Sequence, residues 1–423
     1  MSTLLVKNAT LDDKRVNIFC TDGRISSIGD ETSEADKVLD ANGMVAHPPL
    51  INAHTHAAMS LFRGNGDDLL LMEWLTKRVW PYEADIQPEE IYWGTKLAIL
   101  EMVRAGTVFF NDMYWDFPTV ARAVEEMGIR ATVSTAIIDI GDGFKLEDQI
   151  KKNEDMFLAS RDFSDRVQFA VGPHAIYTVS EKGLRWAKGF ADEHNVNLHT
   201  HLSETEAEVK NCYSEHGCSP VEYLDRLGLV DDRLIAAHTV WLSDSDIALL
   251  GERKVVCVHN PASNMKLAVN RTYPFSRLRD AGAVTAIGTD GAGSNNNLDM
   301  FEEMKLAALL QKYSDNDPTA LPAAETIAMA VKNPAEAFHL DGGGVRVGGV
   351  ADFILLDVHM PEFHPMHSLE SHLVYAVNGN AVDTVVCDGK VIMEHRQIEG
   401  AEEIVAKADE AARTLFGRVD NAK

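Results

Sequence analysis

The 423-residue sequence predicts an α/β protein: a (β/α)8 barrel with a small β-domain assembled from both termini. Three observations carry this reading. Eight short apolar runs lie between Met44 and Ala292. Each is followed by about 10–20 residues of helical periodicity. Both flanks instead alternate with the two-residue rhythm of antiparallel strands. A doubly wound open sheet is the alternative, but no glycine-rich fingerprint follows the first run.

The elements follow in order. Residues 1–45 read as small strands with turns at Thr21-Asp22-Gly23 and Ile28-Gly29. The barrel runs are "MVAHPPLINAHTH", "GTVFFNDMY", "IRATVSTAI", "VQFAVGPHA", "VNLHTHLSE", "LIAAHTVWL", "KVVCVHNPAS" and "AVTAIGTDGA". Between them, "EIYWGTKLAILEMVRAG" closes on Gly106, and "SEKGLRWAKGFADEHN" opens on an N-cap serine, Ser180. From about Gly344 the strand rhythm returns in "GGVADFILLDV" and "NAVDTVVCDGKVIMEH", with turns at Gly348-Gly349 and Asp388-Gly389. A last helix sets Ile404, Ala408, Ala411, Ala412 and Leu415 on one stripe. The expected division is a barrel over residues 46–343 and a composite domain over 1–45 and 344–423.

Composition narrows the function. Hydrophobic content of 45% suits a well-cored protein, and no apolar run nears the ~18 residues of a membrane span. Charges at Lys7, Asp12 and Asp13 interrupt any signal-peptide core, so the expected address is the cytoplasm. A net charge of −26 leaves no basic surface to neutralise phosphates, which argues against a nucleic-acid partner. The five cysteines are scattered and odd in number, the mark of free thiols rather than a disulfide framework.

The chemistry gathers where the apolar runs end. A strand turns residues i and i+2 to one face, so His54 and His56 can aim at a single point. His174, the pair His199 and His201, His238, His259 and Asp290 fall at the ends of later runs, with Glu204 just past His201. A lone histidine at a strand end is usually structural. Barrel closure makes five or six such ends converge, and a metal centre then accounts for them together. Three imidazoles and a carboxylate suit zinc or another first-row divalent ion, iron(II) or manganese(II) among them, with room for a water of lowered pKa. Glu204 is placed to act as an acid/base beside such an ion without ligating it.

His54-Thr55-His56, "HLSE", "AAHTVWL" and "GTDGAGSNNNLDMFEEMK", together with "VHNPASNMKLA" and "GPHAIYTVS", resemble the amidohydrolase superfamily. Within it the sequence looks most like the 5'-methylthioadenosine/S-adenosylhomocysteine deaminases, from the N-terminal strands to about Lys390. The resemblance implies a TIM-like metal-dependent hydrolase barrel with a β-sandwich made from both termini. It implies one divalent ion, zinc first, held by His54, His56, His201 and Asp290, since "VQFAVGPHA" lacks the lysine of two-metal relatives. Glu204 would shuttle protons, His238 would orient the attacking water, and Asp290 would accept a proton from it. Glu83 and His174 would contact the nucleoside, Glu83 at the ribose, while His199 is left without a ligand role. The implied reaction is hydrolytic deamination of 5'-methylthioadenosine, 5'-deoxyadenosine, adenosine or S-adenosylhomocysteine in the cytoplasm. Where members that accept S-adenosylhomocysteine carry arginines, this sequence has Ser134-Thr135 and Lys145, which favours a neutral 5'-substituent.

The alternative within the superfamily is a deaminase or chlorohydrolase acting on guanine, an oxidised purine or an s-triazine. Glu83 weighs towards a nucleoside, because a ribose diol needs a carboxylate acceptor and a free base does not. A non-catalytic binding barrel would be marked by loss of Glu204 or His238, and both are present. The expected partner is thus a small nucleoside, without nucleic acid or membrane; homo-oligomerisation is compatible with the sequence but not specified by it.

Overall fold

The structure, a computed structural model, describes every residue except Met1, Glu31, Asp142–Phe144, Gly342–Gly343 and Lys423. The expected boundary at 343 therefore falls beside residues outside those described. Each of the eight apolar runs supplies one barrel strand: β1 (Leu50–Thr55), β2 (Thr107–Tyr114), β3 (Arg130–Ile137), β4 (Val167–Pro173), β5 (Asn197–Leu202), β6 (Leu234–His238), β7 (Val256–His259) and β8 (Val284–Ile287); the first run also holds Val45–His47, which joins the other sheet. They pair in sequence order, every pair parallel, with helices outside. Burial on both faces explains why these strands read as continuous apolar runs rather than alternating ones. The (β/α)8 expectation holds, and the open-sheet alternative does not.

Closure between β8 and β1 is made without a strand ladder. The Asp290 N–H donates to the His54 carbonyl at 3.0 Å. One turn deeper, the Asn52 side chain takes the place of a strand neighbour: its Oδ1 accepts the Thr289 N–H at 3.0 Å and its Nδ2 donates to Thr289 Oγ1 at 2.7 Å. The chains pass so closely that a Cβ on Gly288 would lie 2.7 Å from the His54 nitrogen and 2.8 Å from its oxygen. Only glycine fits there.

The flanking strands form a second sheet from both ends of the chain. Its order is Lys390–Met393, Val382–Cys387, Phe353–Leu356, Val45–His47, Thr3–Leu11, Lys14–Thr21 and Arg24–Gly29. Most pairs are antiparallel, but Thr3–Leu11 runs parallel to Val45 and to Lys37–Asp40. Val6, Ile18, Ala46, Phe353, Leu355 and Val386 make its core.

The last helix, Ala401–Ala422, lies along the barrel helix Pro88–Arg104. Phe416 packs against Tyr82 with ring centroids 4.5 Å apart, the Tyr82 hydroxyl donates to Asp420, and Arg418 pairs with Asp85 and Glu90. The helix thereby props the segment that carries Glu83.

Replacing Gly288 by alanine is expected to lower stability by about 1–3 kcal/mol through overpacking against backbone that cannot move aside. Denaturant unfolding of Gly288→Ala against wild type checks this; equal midpoints would mean the seam is looser than described.

Candidate metal and active site

The residues at the C-terminal mouth of the barrel come together as the strand ends suggest. His54 and His56 leave β1, His201 ends β5 and Asp290 follows β8. One donor atom from each lies within 4.8 Å of all the others. His56 Nε2 is 3.2 Å from His201 Nε2, and Asp290 Oδ1 is 3.4 Å from His54 Nε2 and 3.3 Å from His56 Nε2. These separations match the edge of about 3.4 Å of a tetrahedron built on ~2.1 Å zinc–nitrogen bonds.

The outer nitrogen of each ring fixes which way its inner one faces. His56 Nδ1 donates to the Met113 carbonyl at 2.8 Å, and His201 Nδ1 to the His174 carbonyl at 2.8 Å. His54 Nδ1 lies 2.8 Å from His199 Nε2. His199 Nδ1 is 3.1 Å from Ser134 Oγ, which in turn donates to the Asp112 carbonyl at 2.7 Å. One assignment satisfies this chain throughout: each ring donates outward from Nδ1, so His54, His56 and His201 all present Nε2 lone pairs inward. His54 Nε2 is buried with no hydrogen-bond partner. Lone pairs facing one another around an orphaned, buried acceptor fit a cation. Burial holds His54 down at about 4 and His201 well below the imidazole range, so both rings are neutral and able to offer a lone pair. Burial also opposes charge on His56, but Asp290 draws it up to about 9. A bound cation would take the place of that proton.

Asp290 is held from behind. Its Oδ2 accepts Ser263 Oγ at 2.6 Å and Ser294 Oγ at 2.9 Å, and its Oδ1 accepts the Gly291 N–H at 2.8 Å. Asp290 and His238 have φ of +60° and +72°, left-handed conformations costly for a side-chain-bearing residue and common at functional sites.

The two acid/base candidates sit beside the cluster. His238 donates from Nδ1 to Asn264 Oδ1 at 2.8 Å, and its Nε2 lies 3.9 Å from Glu204 Oε2. Burial pushes the Glu204 carboxyl up, with His238 opposing it. A cavity opens over both, lined also by His56, His174, His201, Asp290 and Glu83. His174 donates to, or accepts from, Thr178 Oγ1 at 2.9 Å. Glu83 comes from a short helix, Trp80–Glu83, that follows the one π-helical turn among the described residues, Leu75–Val79. Burial raises its carboxyl, while the neighbouring Tyr114 and Trp115 favour its charge.

Sequence reasoning missed three contributors. His199 was left without a role, yet it is the partner that orients His54. Trp74, Leu75, Val79 and Trp80, one apolar segment ahead of Glu83, wall the cavity. Ser134, at a position expected to bear on the 5'-substituent, is fully buried and bonded to His199 and the Asp112 carbonyl. The HxH spacing of His199 and His201 did place both rings on one face; nothing local distinguished ligand from supporting ring.

Comparison with known proteins bears on the family of the chain. Residues 45–392 match the model of the Amidohydrolase family. A 5'-deoxyadenosine deaminase of Methanoregula boonei is 46% identical, aligned over 98% of this chain and 96% of that protein. 5-Methylthioadenosine/S-adenosylhomocysteine deaminase 1 of Archaeoglobus fulgidus is 45% identical over 98% and 99%. The crystal structure of an adenosine deaminase from Xanthomonas campestris with bound zinc superposes with a TM-score of 0.92, at 34% identity over 98% of each chain.

Removing the His199 ring should loosen His54 without touching the ligand set. His199→Ala is expected to bind zinc about 10–100-fold more weakly, the usual loss for a supporting partner. Competition titration with a chelating dye reads this; unchanged affinity would refute the role given to His199.

Proposed function

We propose that this chain, which belongs to the amidohydrolase family, is a metal-dependent aminohydrolase that removes the 6-amino group of adenosine-type nucleosides as ammonia. The observation that carries the reading is the set of three inward-facing imidazoles and Asp290 at the floor of a cavity that also holds Glu204, His238 and Glu83. His54, His56, His201 and Asp290 would hold one divalent ion, zinc first; when bound, it supplies a water made acidic enough to attack at neutral pH.

The residues then divide the work. Glu204, whose carboxyl is pushed up by burial, is placed to deliver a proton to the adenine ring nitrogen as the nucleophile adds at C6. His238, fixed through its Nδ1 to Asn264, is placed to orient the attacking water by accepting its hydrogen bond at Nε2. Asp290, held by two serine hydroxyls, takes the proton released by the water, and passing it to the amino group lets ammonia leave. Glu83 accepts the ribose hydroxyls, and His174 closes the same wall of the cavity. The proton left on the C6 hydroxyl returns to Glu204, and the product is the inosine analogue.

The lining supports a neutral 5'-substituent. Among the described residues around the cavity there is no lysine or arginine, and the charged groups are Glu83, Glu204 and Asp290. 5'-Deoxyadenosine and 5'-methylthioadenosine fit that wall of Trp74, Leu75, Val79 and Ile138 better than a substituent ending in a carboxylate. The family relation, together with the cavity chemistry, places the nucleoside ahead of guanine, an oxidised purine or an s-triazine.

Two substitutions test the assignment. Glu204→Gln is expected to lower kcat for 5'-deoxyadenosine by about 10²–10⁴-fold, the range of a positioned acid/base. Ammonia release in a coupled assay reads it, and near-wild-type turnover would remove Glu204 from the reaction. Glu83→Ala should cut kcat/KM for nucleosides far more than any turnover of free adenine. Equal losses on both substrates would take the ribose contact away from Glu83.

A further inference from the structure

The turn that carries Glu204 contains a buried carboxylate for which the reaction described above has no use. After His201 the chain must leave β5 and start the helix Glu206–His216 within a few residues. Thr205 caps that helix, its hydroxyl accepting the Glu208 N–H at 3.2 Å. In an ordinary capping box the glutamate at the third helical position reaches back to the N–H of the cap itself. Glu208 occupies that position but reaches further. One of its oxygens accepts the Ser203 N–H at 2.8 Å and the other the Glu204 N–H at 2.8 Å.

Both oxygens are thus committed to two consecutive amides, and the second belongs to the proposed proton shuttle. Glu208 is 5% exposed, and no lysine, arginine or histidine of the described residues lies within ion-pair distance of it. A carboxylate buried without a counterion is expensive and is kept only where its hydrogen bonds do something specific. The same peptide is held from the other side. The Ser203 carbonyl accepts the N–H groups of Val240 at 3.1 Å and Trp241 at 2.8 Å, in the loop that leaves His238. Ser203 itself has φ +52°, a conformation that persists only when its surroundings over-determine it.

We propose that Glu208 is a positioning residue: by gripping the Ser203 and Glu204 amides it fixes where the Glu204 carboxylate stands relative to His238 and the substrate. The proposal rests on the reading of Glu204 as the proton-transfer group. Glu208 lines neither the cavity nor the donor cluster, and it reaches the site through the Ser203 and Glu204 backbone.

A double-mutant cycle on the zinc-loaded protein tests it, reading kcat, KM and bound metal for 5'-deoxyadenosine deamination. Glu208→Ala is expected to lower kcat about 10–100-fold, the scale of a misplacement near 1 Å, with KM and metal content held. In a Glu204→Ala background the same change should cost less than about twofold, because its only route of action is gone. Should Glu208→Ala not accumulate, Glu208→Gln keeps one acceptor and is expected to show a smaller loss with the same dependence on Glu204. An equal loss of kcat in both backgrounds, or a loss of metal in step with activity, would make Glu208 a structural residue and overturn the proposal. Full activity of Glu204→Ala alone would instead strike at the functional reading on which it stands.

Discussion

The site depends on where three imidazoles place their outer protons. Met113, His174 and His199 each take one Nδ1–H, and that leaves three Nε2 lone pairs converging in a buried pocket. In a low-dielectric interior such an arrangement repels itself unless a cation stands between the donors. The fold therefore builds the electrostatic demand for a metal before any metal arrives. Two of the three acceptors are backbone carbonyls on neighbouring strands, so the barrel itself sets the ring orientations. The third, His199, passes the constraint to Ser134 and on to the Asp112 carbonyl, again backbone.

Barrel closure supplies the rest. The seam between β8 and β1 brings Asp290 to His54 through one backbone hydrogen bond, with Asn52 standing in for the missing ladder and Gly288 permitting the approach. Four residues at the strand mouths, Ser203, His238, Thr239 and Asp290, adopt left-handed backbone. Packing behind them holds that strain: serine hydroxyls at Asp290, Asn264 at His238 and the Glu208 carboxylate at Ser203. The substrate side is assembled differently. The segment carrying Glu83 crosses the mouth from outside and is propped by the C-terminal helix through Phe416 and Arg418.

How much of this the sequence disclosed follows from the range of the interactions. The eight strands were legible because a parallel strand buried on both faces must be a short apolar run bounded by polar residues. His54 and His56 were legible because a two-residue spacing has one geometric meaning in a strand. His199 was not, since the same spacing beside His201 is satisfied equally by a ligand and by a supporting ring; only the fold shows that it faces His54 and not the centre. Glu208 was hidden for a related reason. Its spacing from Thr205 is that of a common helix cap, and the shift of its oxygens to Ser203 and Glu204 depends on backbone angles that no local pattern encodes. The apolar wall ahead of Glu83 reads as a helix with a buried stripe, and nothing nearby in sequence says that the stripe faces a cavity.

The central claim is that one divalent cation bound by His54, His56, His201 and Asp290 makes the reaction possible. Its most direct test is to strip the protein of metal and follow ammonia release from 5'-deoxyadenosine as zinc is returned. The account predicts negligible turnover at the start and a linear rise that breaks at one equivalent per chain. Undiminished turnover by the stripped protein, or a break only at two equivalents, would contradict it.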